Sequence, residues 1–314
     1  MCPGPLKGVL GAVAAARALA TGLERAGVRA DQAPMADGGE GTAEALRAAL
    51  GGEWRTASVS DPFGRAVEAS FALLPDGRAV VEAAASIGLA RLAADELDPL
   101  RASSRGLGEV IVAAQDAGAS GLVVGLGDSA TVDGGAGLRE AVGKLPAGTL
   151  VACDVANPLL GPRGAAHAFG PQKGASPAQV EELERRLAAD PALAPYADLP
   201  GAGAAGGLGA ALASLGAELV PGARLVADAI RLPERLQGAS LVVTGEGTVD
   251  EGSREGKVTG HVASLAAEAG IRCVVFGGRV EAALPDAEAV ALSGDVSRAE
   301  ADLLELGERL GREA

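Results

Sequence analysis

Short apolar runs alternate with helical patterns along most of the chain. The runs are bounded by glycine or polar residues and lie at 121–125, 150–153, 241–244, 272–276 and 287–292. Patterns that predict amphipathic helices lie at 9–25, 42–50 and 106–117. Short, fully apolar strands separated by helices are typical of a parallel sheet that is covered on both faces. The pattern therefore predicts an α/β fold.

Residues 54–74 have a different pattern of polar and apolar positions. Polar and apolar residues alternate there on both sides of Asp61-Pro62-Phe63-Gly64, which predicts two strands joined by a turn. A further strand is predicted at 79–84. This contrast with both ends of the chain predicts a discontinuous domain, 1–54 plus 238–314, with a middle domain inserted at 55–237.

The residues at 9–16 also resemble a weak secretory signal, because they follow Lys7 and are apolar. Arg17 interrupts the stretch, so we interpret it as an Ala-rich first helix. Three cysteines and two histidines are too few and too scattered for a disulfide framework or a structural zinc site, which predicts a cytoplasmic protein.

Net charge and aromatic content limit the kinds of molecule that the protein is expected to bind. The net charge is −14 and aromatic residues make up only 2% of the chain. This charge repels phosphate backbones and anionic lipids, so nucleic acid and membrane are not expected partners. A homodimer stays an open expectation. Only four lysines occur, each beside a glycine, which suggests phosphate contacts or simply chance in a chain with 47 glycines: Lys7, Lys144, Lys173 and Lys257.

Residues 201–206 match the pattern G-x-G-x-x-G of dinucleotide-binding proteins. A Rossmann fingerprint needs a strand before the glycines, but Pro200 directly precedes them and 196–200 is not an apolar run. A nicotinamide-dependent oxidoreductase therefore stays only a weak alternative.

Five segments, four of them rich in glycine, carry acidic residues or lysine, at 35–42, 127–135, 152–158, 169–174 and 244–250. Three of them follow a predicted buried strand, and ligands of open α/β sheets bind beyond the carboxyl ends of the strands. Glycine lets backbone N–H groups approach phosphate, and carboxylates beside phosphate suggest Mg²⁺. The alternative is that the glycines make turns and the acids cap helices. For five such segments we favour phosphoryl transfer.

Several long segments then resemble the type-1 glycerate kinases. They are MADGGEGT (35–42), SATVDGGAG (129–137), ACDVANPLLG (152–161), FGPQKGA (169–175), DLPGAGAAGGLGA (198–210) and TGEG (244–247), the last followed by Gly256-Lys257. The resemblance implies phosphorylation of D-glycerate by ATP with Mg²⁺, more often at the 2-position in bacteria. It also implies a flavodoxin-like parallel-sheet domain built from both termini and a restriction-enzyme-like middle domain.

On this resemblance we predict four groups of site residues. The catalytic residues are Asp154, Lys7, Lys173 and Asp250. Substrate contacts fall to Asn157, Arg65, Ser129 and Thr131, with a solvated turn arginine as the alternative for Arg65. The nucleotide is held by Gly38, Gly39, Gly134, Gly135, Gly206, Gly207, Glu246 and Lys257. The metal candidates are Asp133 and Asp37, with Asp133 and Asp250 open as either base or metal ligand.

The chain also departs from the family pattern. Gly4, Val132 and Thr248 stand where the family carries Asp, Asn and usually Arg. A strand before Lys7 is missing, and the stretch from 137 to 150 is shortened. Two explanations compete: a gene start placed too late in a divergent enzyme, or a catalytically impaired or dead binding or regulatory protein. Loss of the first strand predicts poor stability, because it uncovers a gap in a buried sheet.

Overall fold

The computed structural model describes residues 1–254 and 257–313. Within them the helices are α1 Ala12–Arg25, α2 Thr42–Leu50, α3 Ala84–Ile87, α4 Arg105–Asp116, α5 Ala136–Ala141, α6 Ala165–Phe169, α7 Pro177–Ala188, α8 Ala204–Ser214, α9 Gly222–Ala229, α10 Leu232–Leu236, α11 Val258–Glu268 and α12 Ala299–Glu313. The strands are β1 Glu53–Ser60, β2 Ala66–Leu73, β3 Arg78–Glu82, β4 Gly121–Gly125, β5 Leu150–Ala152, β6 Glu218–Val220, β7 Leu241–Val249, β8 Arg272–Val280 and β9 Glu288–Ala291. The predicted α/β class is confirmed.

The chain divides into two compact units. The terminal unit comprises Met1–Asp37, Glu44–Leu50 and Ala223–Ala314, and the middle unit comprises Gly38–Ala43 and Gly51–Gly222. The domain boundaries at 54/55 and 237/238 stay a prediction from the sequence.

The middle unit contains a mixed sheet in the order β1-β2-β3-β4-β5-β6. The pairs β1–β2 and β2–β3 are antiparallel, and the remaining pairs are parallel. The predicted hairpin is present, with Ser60 opposite Ala66. Its turn forms because the Asp61 carboxylate accepts the backbone N–H groups of Phe63 and Arg65.

The core of the middle unit is built from small and branched apolar side chains. Helix α4 supplies Leu107, Val110 and Ile111, which pack with the inward side chains of β3 and β4 in one buried cluster. Phe71 is the one aromatic member of this cluster. The packing fixes the carboxyl ends of the parallel strands, where the glycine-rich segments begin.

The terminal unit contains the parallel sheet β7-β8-β9, extended by two segments of the chain. The N–H groups of Cys2 and Gly4 donate to the carbonyls of Val243 and Gly245, at 2.8 and 2.9 Å. On the other side, the carbonyls of Met1 and Pro3 accept N–H groups from residues 33 and 35. The resulting order, 33–35, 1–4, β7, β8, β9, is that of flavodoxin-like sheets.

This pairing differs from the gap expected at the start of the sheet. Residues 1–4 occupy the place beside β7 that the sequence left without a strand, and Cys2, Pro3 and Gly4 are buried there. The Thr244 hydroxyl also donates to the carbonyl of Cys2, at 2.8 Å. The row of backbone groups on this side of β7 is therefore satisfied along residues 243–245.

The two ends of the chain meet as helices α1 and α12. A Cβ on Gly22 would lie 2.1 Å from the Leu304 carbonyl oxygen, and one on Gly307 would lie 2.3 Å from that of Leu19. Glycine therefore allows the two helices to touch backbone to backbone. Helix α1 begins at Ala12, three residues later than the pattern at 9–25 predicts, because Leu6 and Leu10 first close a tight turn through two backbone hydrogen bonds.

One predicted segment is wrong, and one strand was not predicted. Residues 244–249, expected as a glycine-rich loop, belong to β7 and pair with β8. Gly245 suits this strand because a Cβ there would lie 2.2 Å from the Phe276 carbonyl oxygen. Strand β6 lies inside residues 192–222, which are rich in Gly, Ala and Pro, and it pairs with β5. No helix in the described part of the chain is long and apolar enough to cross a membrane.

Candidate functional site

Two glycine-rich segments meet at the carboxyl ends of β4 and β5 in the middle unit. The N–H of Gly127 donates to the carbonyl of Gly38, at 3.1 Å. A Cβ on Gly38 would lie 2.6 Å from the Ala152 carbonyl oxygen, and one on Gly127 would lie 2.4 Å from Cα of Gly39. The backbones therefore touch directly, and no larger residue fits at these positions.

A third segment, at the start of α8, packs on the first part of α5 and the loop before it. The N–H of Gly134 donates to the carbonyl of Gly206, at 3.0 Å. Gly134, Gly135, Gly206 and Gly207 all have positive φ, between 61° and 95°, so glycine is favoured at each. Together with Gly38, Gly39 and Gly127 they form what we call the glycine layer. The layer contains six of the predicted nucleotide-binding residues and has two sets of close backbone contacts: Gly38 and Gly39 with Gly127, and Gly134 with Gly206 and Gly207.

Lys173 lies beneath the glycine layer and is 2% exposed. Its Nζ donates to Ser129 Oγ at 3.0 Å and to the Thr131 carbonyl at 2.8 Å. Burial lowers the pKa of Lys173 to about 7, although the charge of Asp133 acts in the opposite direction. Three predicted site residues are thus in direct contact. The buried Thr131 Oγ1 has no hydrogen-bond partner in the described part of the chain.

Asp133 holds the local fold rather than projecting from it. Its Oδ2 accepts the N–H and hydroxyl of Ser104, both at 2.8 Å, and the N–H of Gly137 at 3.2 Å. Its Oδ1 accepts the N–H of Gly135, at 3.1 Å. Both oxygens therefore tie the start of α5 to the start of α4, which matches the helix-capping alternative for this acid.

The predicted substrate-binding residues after β5 lie on one loop. Asp154 Oδ1 accepts the N–H of Gly222 at 2.7 Å, and the Asn157 side-chain amide donates to the Arg163 carbonyl at 2.7 Å. Cys153, between the strand and Asp154, is no reactive thiol, because burial raises its pKa to about 11. The hydrogen bond to Gly222 therefore holds the Asp154 carboxylate just beyond the end of β5.

Arg65 lies apart from these residues, in the turn between β1 and β2. Its guanidinium contacts Asp61 at 2.5 Å and Glu96 at 2.6 Å, and the residue is exposed. These two acids raise the pKa of Arg65. The arrangement is that of a solvated, paired turn arginine, which is the alternative that the sequence left open.

Glu82 is a candidate that the sequence reasoning missed. It ends β3, and its carboxylate accepts the N–H of Ala43 at 2.7 Å and those of Gly41 and Thr42. Burial raises the pKa of Glu82 to about 7, with Glu40 acting in the same direction. The Thr42 hydroxyl completes the loop by donating to the Gly39 carbonyl at 2.8 Å. A single glutamate at the end of a strand does not stand out in the sequence as a site residue. Only the pairing of β3 with β4 shows that Glu82 lies near the glycine-rich segments.

The terminal unit carries the other predicted residues, mostly near the end of β7. Asp250 Oδ1 accepts the N–H of Ser253 at 3.1 Å. A Cβ on Gly252 would lie 3.1 Å from this Asp250 oxygen and 3.5 Å from Nζ of Lys257, so the two predicted residues are neighbours. Glu246 lies within β7, and its buried Oε1 has no hydrogen-bond partner in the described part of the chain. Gly256 lies outside the described residues.

Asp37, the second metal candidate, follows residues 33–35 and is partly exposed. Within residues 1–254 and 257–313, no group of three or more His, Cys, Asp or Glu side chains forms a metal site. A metal held by protein ligands alone is therefore not indicated for these residues. Magnesium that is bound largely through phosphate oxygens needs only one or two carboxylates.

A cavity of about 240 Å³ lies at the carboxyl edge of the terminal sheet; we call it the edge cavity. Its walls are formed by residues of several strand ends, among them Leu6, Lys7, Thr248, Arg279, Leu292 and Val296. Lys7, predicted as a phosphate-contacting cation, is exposed at this place. A second cavity of about 490 Å³, the amino-end cavity, lies at the opposite end of β7 and is lined by Leu23, Val28, Asp31, Leu232, Arg235 and Leu236, among others.

The three departures from the family pattern each have a local setting. A Cβ on Gly4 would lie 3.3 Å from Val258 Cγ1, so an aspartate needs that side chain to move. Val132 is 1% exposed and belongs to an apolar cluster with Leu159, where an amide has no place. Thr248 pairs with Arg279 across the β7–β8 ladder, so a guanidinium is present on the neighbouring strand.

Comparison with known proteins adds a family to this geometry. A model described as "Glycerate kinase family" matches residues 1–147 and 146–302. The two matched parts meet within the stretch between 137 and 150 that the sequence predicts to be shortened.

Similar proteins are found both by sequence and by structure. The chain is 43% identical over 273 residues to the glycerate 2-kinase of Escherichia coli K12, covering 74% of this chain and 72% of the relative. It is 39% identical to the glycerate kinase of Bacillus subtilis 168, covering 85% and 81%. A crystal structure from Salmonella typhimurium LT2, assigned as glycerate kinase 2, has a TM-score of 0.87 at 33% identity and covers 99% of this chain and 96% of that one.

Proposed function

The chain belongs to the glycerate kinase family, and we propose that it transfers the terminal phosphoryl group of ATP to a hydroxyl of D-glycerate. The observation that carries the proposal is Lys173, a nearly fully buried lysine bonded to Ser129 and Thr131 beneath the glycine layer. A buried ammonium suits an anionic group better than any neutral ligand.

The glycine layer supplies the rigid part of this arrangement. Its backbones approach one another more closely than a Cβ would allow. The N–H groups of Gly38, Gly127 and Gly134 donate to Thr42 Oγ1 and to the carbonyls of Gly38 and Gly206, so the layer is rigid before any ligand arrives. Lys173 adds positive charge that strengthens once phosphate enters, because a nearby anion raises the pKa of a buried lysine. We retain Lys7, an exposed residue of the terminal unit, as a proposed phosphate-contacting cation.

Asp154 is the residue that we assign to the substrate hydroxyl. In the transfer, the glycerate oxygen forms a bond to the γ-phosphorus while the bond from phosphorus to the β-phosphate oxygen breaks and ADP leaves. The hydroxyl proton passes to the Asp154 carboxylate, which is placed at the end of β5 by its bond to Gly222. Asn157, on the same loop, orients the remaining oxygens of the substrate.

Magnesium fits this proposal because ATP itself would supply phosphate oxygens as most of the metal ligands. When bound, Mg²⁺ neutralises the charge that develops on the transferred group. Asp37 and Asp250 are the carboxylates that we propose for contact with it, since Asp133 has both oxygens bonded to Ser104, Gly135 and Gly137.

The finer assignments rest on the relatives rather than on the geometry. We propose the 2-phosphate as product, because the Escherichia coli relative is named a glycerate 2-kinase. We propose a cytoplasmic location, which the three free cysteines Cys2, Cys153 and Cys273 support.

The test is ADP release with D-glycerate and ATP in the wild type and in Asp154→Asn. The asparagine keeps an oxygen that accepts the Gly222 N–H but removes the basic carboxylate, so we expect turnover to fall by at least about a hundredfold with unchanged stability. Asp98→Asn is the matched control, because Asp98 also caps a backbone N–H, that of Leu100, outside the glycine layer. A wild-type chain that binds ADP without turnover would instead identify a catalytically dead relative.

A further inference from the structure

The edge cavity lies where the strand order of the terminal sheet reverses. Its lining comes from Lys7, which follows residues 1–4, and from the carboxyl ends of β7 and β8 and the residue after β9: Thr248, Arg279 and Leu292. In flavodoxin-like sheets the first strand has its successors on opposite sides, and ligands bind in the crevice beyond the strand ends at this point.

The walls of the edge cavity are apolar on one side and glycine on another. Leu6, Leu292 and Val296 supply the apolar surface, and Val296 is 64% exposed although it is a large hydrophobic residue. Gly247, Gly278 and Gly294 line the remainder without side chains. Such a lining suits a flat aromatic ring and not a three-carbon acid that is polar at every carbon.

The cations at the edge cavity favour an aromatic ligand that also carries a negatively charged group. Asp302 accepts hydrogen bonds from Ser293 and pairs with Arg298, so its charge is satisfied locally. Arg279 is exposed and makes no ion pair within residues 1–254 and 257–313, although the chain as a whole is strongly acidic. The lining also holds Asp295, whose carboxylate accepts the N–H and the hydroxyl of Ser297, and the cations at the cavity are Arg279 and Lys7.

The amino-end cavity is larger but lacks these properties. It lies beyond the amino ends of the strands, and two arginines line it, Arg29 and Arg235. The Asp31 carboxylate holds Arg235 through two hydrogen bonds of 2.8 Å. Size therefore favours the amino-end cavity over the edge cavity, whereas the strand topology favours the edge cavity.

We propose that the edge cavity binds the nucleoside part of the nucleotide, with its base between Leu6, Leu292 and Val296 and its phosphates towards Arg279 and Lys7. The proposal rests on the proposed function for the identity of the nucleotide. A volume of about 240 Å³ lies below the roughly 300–1,000 Å³ of typical ligand pockets. It therefore suits a nucleoside whose phosphates remain outside.

The test is titration calorimetry with two probes, ADP and adenosine, on the full chain. Val296→Trp fills the edge cavity, so we expect both probes to bind at least about tenfold more weakly. Arg279→Gln removes a phosphate contact only, so ADP weakens by about tenfold while adenosine is unchanged. Val28→Trp, in the amino-end cavity, is the matched control and is expected to bind both probes like the wild type.

Either of two calorimetric results contradicts the assignment of the edge cavity. In the first, Val296→Trp binds ADP as tightly as the wild type does; in the second, Val28→Trp weakens ADP binding as much as Val296→Trp does. If the Trp variant does not fold, hydrogen exchange on the unmodified chain decides, because adenosine must then protect residues 292–298. If Val296→Trp still phosphorylates glycerate with an unaltered KM for ATP, the assignment of the edge cavity is wrong but the proposed kinase activity stands. If the binding pattern is as expected but the wild type shows no turnover, the proposed kinase activity is wrong and the nucleoside site stands.

Discussion

The two sheets differ at the carboxyl ends of their parallel strands. In the middle unit the edge is closed by the glycine layer, where missing side chains let backbones touch and Lys173 is buried. In the terminal unit the edge is open, with exposed cations around a cavity of about 240 Å³. We call the edge of the middle unit the closed edge and that of the terminal unit the open edge. The polar groups of the closed edge are held in place before a ligand binds, which favours phosphoryl transfer. The open edge instead offers a cavity that a ligand of matching shape can enter.

The largest expected effect comes from adding one carbon to the closed edge. Gly206→Ala places a Cβ 2.0 Å from the Thr131 carbonyl oxygen at a φ of 74°. We expect the free energy of unfolding to fall by more than about 3 kcal/mol and turnover to be lost. Urea denaturation and ADP release measure the two effects.

Gly294→Ala is the matched change at the open edge. Gly294 has a φ of 77°, but the nearest atom to its Cβ position is 3.6 Å away. Only the backbone strain remains, so we expect a loss of about 1–2 kcal/mol. Equal losses in the two variants would contradict the distinction between closed and open edges.

A second contrast concerns the two lysines. Lys173→Met leaves Ser129 Oγ and the Thr131 carbonyl without a buried donor, so we expect a loss of about 2 kcal/mol at pH 8 in addition to lost turnover. Lys7→Met, at an exposed position, is expected to lower turnover without a measurable change in the urea midpoint. A Lys173 variant as stable as the wild type would show that the ammonium is not part of the closed edge.

The smallest expected effect is a change in pH dependence at Glu82. The pKa of this carboxyl rises from 4.5 to about 7 on folding, so the folded state holds the proton more tightly. The stability this gives is present below pH 4.5 and is lost as the pH rises to about 7, up to about 3 kcal/mol.

We therefore expect wild-type stability to fall between pH 5 and pH 8, and Glu82→Gln to remove most of that slope. Denaturation curves across this range measure it. Glu109→Gln is the control, because Glu109 also accepts a backbone N–H, that of Ser60, in the same unit. If Glu82→Gln keeps the wild-type slope, burial of the carboxyl does not govern the loop at 38–43.

Local patterns in the sequence predicted the fold better than they predicted the roles of single residues. The hairpin at 53–73 and strand β4 follow directly from alternation and from an apolar run. The segment 244–249 was misjudged because glycine usually interrupts a strand, whereas Gly245 is required against Phe276. Pairing across strands decides such cases, and one strand alone does not contain that information.

The candidate site shows the same limit. The glycines of the glycine layer and Lys173 were found because unusual residues cluster along the chain. Glu82 and Arg279 were missed, because each is an ordinary residue in a strand and gains its place only from the neighbouring strands. The role of Asp133 depends on Ser104, far away in sequence, so its capping bonds were equally invisible.

The contact between α1 and α12 sets an order for folding during synthesis. The middle unit comprises residues 38–43 and 51–222, so all of it leaves the ribosome well before the chain is finished. The terminal unit needs Gly307 against Gly22, and therefore waits for the last helix. Until then α1 and residues 1–4 have no complete partner surface, so we expect the terminal unit to complete its fold after the middle unit.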